Sequence, residues 1–223
     1  MAPETAADRH TRLSVRSGMA AAANRERSRR SDHTDATRRA LVEAGRHLFS
    51  RRGYGAVSIE DIVTRARVTR GALYYHFDSK KDLFRAVLEV VEADLVADVQ
   101  AAMDQVTAAW DLLIVGFGAF LDAATKPAAV QIIAIDGPAV LGWGEWRHID
   151  LRYGLGLVVA ALERGMDAGV IRRVPLVPLS QLLLAALTES ALQIAGATDK
   201  NRTRVEVEGA FIALLEGLRT TRP

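Results

Sequence analysis

Apolar residues return every three or four positions along one stretch: Leu83, Val87, Val91, Leu95, Val99, Met103 and Val106. That spacing keeps them on one side of a helix. Ser79, followed three residues later by Asp82, resembles a capping box, so a long amphipathic helix is expected from Ser79 to about Val106. Upstream, Leu41, Leu48 and Phe49 stripe a helix running from Thr34 or Asp35 to Gly53, with Arg51 and Arg52 complementing its C-terminal dipole. Gly45 inside it costs about 1 kcal/mol relative to alanine, and a close helix crossing would account for it. Between these two lie short patterns. Ile59, Ile62 and Val63 make one apolar face, entered at Ser58 with Asp61 three residues on. Val68, Leu73 and Phe77 make another, on a segment opened by Thr69-Arg70-Gly71.

Downstream the helical period persists with broader apolar faces. One segment from Trp110 holds Leu113, Phe117, Phe120 and Leu121, and another runs from Pro127 to Ile135. Asp136-Gly137-Pro138 and the glycines at 142 and 144 predict irregular backbone. A helix from about Glu145 to Ala168 carries Ile149, Leu155, Val158, Leu162 and Met166, and Gly169 ends it. Pro175 and Pro178 punctuate the next loop. From Pro178 to Gly196 the chain is apolar nearly all round, and a last helix, following Thr203 with Glu206 in capping register, presents Val207, Phe211, Leu214 and Leu218. Gly209, Ala210, Ala213 and Gly217 lie beside them. A helix apolar on every side must be covered on every side. Near the end of a chain of 223 residues a second subunit is the expected cover, an intramolecular core being the alternative. No strand period is visible, so the expected fold class is all-α.

Composition narrows the function. With 49% apolar residues the chain can bury a large core, yet no uncharged apolar run reaches about 18 residues, so no membrane span is expected. The absence of cysteine excludes disulfides, thiolate metal sites and a cysteine nucleophile. No secretory signal is visible at the arginine-rich N-terminus, and a cytoplasmic location is expected. Net charge is +2, but residues 1–33 carry seven arginines against four acids, residues 34–85 eleven Lys/Arg against six, and residues 86–223 eleven against seventeen. The first 85 residues are therefore +8 and the remainder −6, a split that fits a nucleic-acid-binding front and a body that does not touch phosphate. Residues 1–33 lack periodicity and read as a flexible basic arm, with Arg25, Arg27, Arg29 and Arg30 near the first helix; Met19 is an alternative start.

A short helix bearing polar, cationic and aromatic side chains, braced by a helix before it, suits the DNA major groove. The run Leu73-Tyr74-Tyr75-His76-Phe77, then Ser79-Lys80 and Leu83-Phe84, resembles the DNA-binding head of the TetR family of one-component bacterial regulators. The likeness covers about Thr34 to Val90. Two positions depart from the family pattern: Arg67 stands where the turn usually has glycine, and Val63 where it has alanine. Arg67 is therefore expected at positive φ. The resemblance implies a three-helix helix-turn-helix head at 34–85, joined by the long fourth helix to a ligand-binding and dimerisation bundle at 86–223. The bundle would dimerise through its last two helices.

On that resemblance Tyr74 and Lys80 take phosphate, Thr69 caps the recognition helix beside a phosphate, and Ser58 touches backbone from the preceding helix. Base reading falls to Arg70, which suits guanine O6 and N7, and to Tyr75 with His76; Gly71 lets the backbones approach. Core packing for Tyr74 and a structural hydrogen bond for His76 are the competing readings. Leu73 and Phe77 belong to the core. Two heads would span half-sites about 34 Å apart on a near-palindromic double-stranded operator. The resemblance also implies a small-molecule effector. Its candidate pocket residues are Trp110, Phe117, Phe120, Trp143, Trp146 and Tyr153, with Met103 and Met166 as adaptable filler. Glu189 and Gln193 are added because polar groups amid an apolar helix need partners. A hydrophobic effector is expected; core packing of each aromatic is the competing reading.

Other functions find little support. His148, Asp150 and Ser190 are hydrolase residue types, but there is no G-x-S-x-G turn and no strand to hold one. No H-E-x-x-H occurs, and five scattered histidines give no metal spacing. No enzyme activity, metal or cofactor is expected. A dimeric DNA-binding regulator that is constitutive or controlled by a protein partner remains open, because pocket and core look alike in sequence.

Overall fold

The computed structural model describes residues 34–220, all of whose regular elements are helices. The basic arm with Arg25, Arg27, Arg29 and Arg30, and the alternative start at Met19, lie outside the described residues. Helix α1 covers residues 34–52. It is followed by α2 (Ile59–Ala66), α3 (Arg70–His76) and α4 (Lys80–Met103). Then come α5 (Ala109–Ala124), a π-helical segment (Ala129–Asp136), and α6 (Gly137–Leu141). Three longer helices finish the fold: α7 (Trp143–Asp167), α8 (Leu176–Gly196) and α9 (Lys200–Glu216).

The helices α2, α3 and α4 each start at a side-chain cap. At α2 the box is reciprocal: Ser58 Oγ accepts from Asp61 N at 3.1 Å while Ser58 N donates to Asp61 Oδ2 at 2.9 Å. These bonds from Ser58 hold the Asp61 carboxyl below its ordinary range. Thr69 Oγ1 accepts from Ala72 N to open α3, and Ser79 Oγ accepts from Asp82 N to open α4. Arg67, at φ 57°, ends α2 in the left-handed region. A non-glycine residue there costs about 1 kcal/mol, offset by the turn bond from Val68 N to Val63 O at 3.0 Å. Gly45 is where α1 meets α4. A Cβ there would stand 3.0 Å from Val87 Cγ2, so glycine permits the close crossing.

Several element bounds differ from the sequence expectation. Helix α4 stops at Met103, with Gln100 bonding Asp104 and the chain turning; Val106 still packs on the core, which is why the apolar period outlasts the helix. The expected break at Asp136-Gly137-Pro138 is helical instead. Pro138 falls in the first turn of α6, where a missing N–H costs nothing, and the chain breaks at Gly142, φ +89°. Helix α7 accordingly begins at Trp143 rather than Glu145, and α8 at Leu176 with Pro178 in its first turn. Helix α9 begins at Lys200, because Asp199 accepts from Arg202 N at 3.0 Å. Thr203 therefore lies inside the helix, and Glu206 accepts from Arg202 Nε instead of capping.

Two cores divide the fold. The first unites α1–α4 with the π segment, α6 and the start of α7, through Phe49, Phe84, Leu88, Ile132, Leu141 and Trp146. The second joins the end of α4 to α5, α7, α8 and α9, through Val99, Phe117, Leu162, Leu184 and Phe211. Leu95 on α4 packs against both. Helix α8 is long and apolar enough by composition to cross a membrane, once a run is allowed to include a charge such as Glu189. In this fold it packs against α7, α9 and α5.

Candidate DNA-reading face and buried cavity

Helix α3 buries Leu73 and presents the rest of its turns outward. Tyr75 is 76% exposed and its ring meets His76 edge-on at 5.1 Å. Tyr74 is exposed beside it. Arg70 Nη1 donates to Glu60 Oε1 at 2.7 Å and Nη2 to the Tyr74 hydroxyl at 3.4 Å. The Tyr74 bond and the Glu60 charge both push its pKa up. A Cβ on Gly71 would meet only Thr69 Oγ1, at 3.9 Å, so nothing among the described residues demands glycine there.

Ser58 and Lys80 are both engaged internally. The Ser58 hydroxyl donates to Asp61 Oδ2 at 2.8 Å. Lys80 Nζ donates to the carbonyls of Tyr54 and Val57, at 3.0 and 2.9 Å, and lies 3.9 Å from the Tyr54 ring centre. Burial lowers its pKa. Lys80 thus braces the loop between α1 and α2 in the free chain. No residue type marks such a brace in sequence, because its acceptors are backbone carbonyls.

The second core leaves a partly open apolar cavity of about 80 Å³ between α4, α5, α7, α8 and α9. Of the residues expected to line a pocket, Met103, Phe117 and Phe120 do so. The other seven lie elsewhere. Trp110 sits at the edge of the second core under Arg219, whose guanidinium is 4.5 Å from the ring centre, and Met166 is buried in that core away from the cavity. Trp146 and Tyr153 belong to the first core, Trp146 lying over Gly137, where a Cβ would come within 2.6 Å of its Cδ1. Trp143 is 68% exposed. Glu189 and Gln193 face outward and pair with each other, Gln193 Nε2 donating to Glu189 Oε1 at 3.1 Å.

Two carboxyl groups that were not expected do line the cavity, Glu92 and Asp150. Glu92 is 3% exposed and its Oε1 has no hydrogen-bond partner among the described residues. Asp150 is bonded by Arg147. A signal was available: Glu92 stands four residues after Leu88 and three before Leu95, inside the apolar face of α4. Burial, and then the Asp150 charge, push the Glu92 carboxyl up to about 8; burial also raises Asp150, against the pull of Arg147.

Stability inherits a pH dependence from this carboxyl. Glu92 holds its proton in the folded state well above its ordinary value of 4.5, so its share of stability is intact below that value. It is lost as pH rises to about 8. The neighbouring charges are Asp150 with Arg147, and Tyr153 with Glu89 and Arg152. The melting temperature is expected to fall between about pH 4.5 and about pH 8, and Glu92→Gln to flatten that fall. A wild-type slope retained in Glu92→Gln, followed by circular dichroism, would contradict the assignment.

A helix-turn-helix reader mounted on a long helix, with an apolar helical body behind it, defines a DNA-binding transcriptional regulator. Residues 41–87 match the family model for bacterial regulatory proteins of the tetR family, and residues 110–218 match the tetracyclin repressor-like C-terminal domain. The transposon Tn10 TetC protein of Escherichia coli is 28% identical over 191 residues, 86% of this chain and 94% of that protein. The AcrR regulator of Shigella flexneri is 39% identical over 59 residues, 26% of this chain and 27% of its own. A crystal structure of a TetR-family transcriptional regulator from Pectobacterium atrosepticum superposes with a TM-score of 0.75 at 30% identity, covering 86% of this chain and 98% of that one. The chain belongs to the TetR family.

Proposed function

We propose that this chain is a cytoplasmic, non-catalytic, homodimeric repressor, released from a near-palindromic operator by a small, largely hydrophobic effector. The observation that carries this reading is the course of α4. Its first turns lie in the head core through Leu83, Phe84 and Val87, and its last turns, through Val99 and Met103, line the cavity. One rigid element thus spans reader and cavity. An effector works by binding one spacing of the two heads better than the other; tight binding alone shifts nothing. The cavity favours a ligand over a protein partner as the controlling agent.

Residues 34–85 serve as the reader, and those from 86 onward as sensor and dimer contact. On the operator Arg70 exchanges Glu60 for guanine O6 and N7, Tyr75 and His76 contact bases, and Gly71 lets the backbones approach. Tyr74, Thr69 and Ser58 face phosphate. Lys80 acts chiefly by holding the loop that positions α2. The dimer forms on the outward faces of α8 and α9. There Leu182 is 69% exposed, with Glu189 and Gln193 on the same face, and Val205, Gly209, Ala213 and Leu214 face out of α9.

Selection of bound sequences from a random DNA pool, then a screen for compounds that release the selected site, tests the whole reading; failure to enrich any sequence would overturn it. On that site Arg70→Ala is expected to cost about 1–3 kcal/mol at one base position. Lys80→Ala is expected to weaken all sequences alike. Anisotropy titrations on matched and single-mismatch duplexes separate the two, and a uniform loss from Arg70→Ala would remove it from base reading.

A further inference from the structure

We infer that the effector enters the cavity as a slender lipophilic ammonium, its N–H groups received by the Glu92 and Asp150 carboxylates and its hydrocarbon part by Val99, Leu113, Phe117 and Leu187. This rests on the small-ligand reading above and names the chemistry of that ligand.

Among the described residues, Glu92 and Asp150 are the only ionisable ones lining the cavity, and every other lining side chain is apolar. A buried carboxyl with no partner is expensive, and a protein keeps one only where something can meet it. None of the neighbouring cations does. Arg147 is committed to Asp150, Arg152 reaches Glu89 at 3.6 Å, and Arg85 is taken by Glu145 and Asp82. The open side of Glu92 is the cavity itself. An anion there would face two carboxyls, and a hydrocarbon would leave Glu92 Oε1 as unmatched as before. A neutral hydroxyl could give one bond of ordinary strength, whereas an ammonium gives charge-assisted bonds to both groups. The small volume restricts the hydrocarbon part to a narrow chain, and the Cβ-less flank at Gly154 is already close-packed, a methyl there falling 3.0 Å from Leu184 Cδ1. Met103 at the far end supplies the adaptable wall. Because Glu92 holds its proton when the cavity is empty, arrival of the cation should expel it.

The test is calorimetric titration of the full chain with hexylammonium chloride, 1-hexanol and sodium hexanoate at neutral pH, each in two buffers of different ionisation enthalpy. Hexylammonium is expected to bind at least about tenfold tighter than either other probe and to release protons. Glu92→Gln should cost the ammonium about tenfold or more while changing hexanol by less than about twofold. Glu92→Leu, which fills the site with hydrocarbon, should melt no lower than wild type and lose the ammonium. If hexanol binds as tightly as hexylammonium, or if Glu92→Gln leaves the ammonium untouched, the charge requirement falls and the apolar-effector reading stands. If none of the three binds while operator binding persists, both fall.

Discussion

Placing glutamate at both Leu182 and Leu214 is expected to leave a folded monomer whose operator affinity has dropped about a hundredfold or more. The size of the effect comes from geometry. Each head offers DNA only one seven-residue reading helix. Joining two heads converts the second binding event into an intramolecular one, which raises affinity by about 10²–10⁴ without any new contact. The two leucines are 69% and 60% exposed. A carboxylate at either meets water in the monomer and costs the fold little, but in a pair of stacked subunits four carboxylates would be buried without partners. Gly209 is also open: a methyl there would have nothing within 4 Å, and Gly209, Ala213 and Gly217 recur every four residues beside Leu214. Such a stripe lets a second helix approach closely. Sedimentation should show the wild type as a dimer and the variant as a monomer with unchanged helicity. A variant that still sediments as a dimer would mean that α8 and α9 are not the contact.

The parts of the fold legible in sequence were those fixed by local chemistry. Ser58, Thr69 and Ser79 each cap the helix they were expected to cap, because a hydroxyl and an amide three residues on need nothing from the rest of the chain. Arg67 takes the positive φ expected of a turn where glycine is usual. The long stripe on α4 is buried at Leu83, Val87, Val91, Val99 and Met103. What sequence could not supply was pairing between distant elements. At the end of the π segment Asp136 accepts from Tyr54 N at 2.8 Å and Trp146 lies over Gly137, contacts made across the chain. The cavity lining was legible only at Met103, Phe117 and Phe120, for a related reason. Aromatic residues were the natural candidates, but Trp143 and Trp146 differ in burial although they are one helical turn apart, one exposed and one buried in the other core. The informative residue was the charged one. Glu92 breaks an apolar face, and a break of that kind asks for a partner in a way that one more aromatic does not.

The same two-core layout makes Phe84→Ala the substitution with the largest expected cost in stability, about 3–5 kcal/mol. Phe84 is fully buried, its ring 5.4 Å from Phe49 and 5.1 Å from Tyr54 in edge-on contacts. Removing it leaves a void between α1 and α4 that neither helix can close, since Val87 already abuts Gly45 at the crossing. The damage should not stay in the head. Tyr54 is tied to Asp136, Arg85 is bonded by Glu145, and Leu88 packs in one core with Ile132 and Trp146. Head, π segment and the start of α7 should therefore melt together, with a midpoint lowered by about 10 °C. Tyr75→Ala is the control: its ring is exposed, so the midpoint should hold while operator binding weakens. Scanning calorimetry resolves the point. A separate low-temperature transition in Phe84→Ala, with the remaining helices melting where wild type does, would show the head to be an independent unit. The rigid link from cavity to DNA reader would then have to be abandoned.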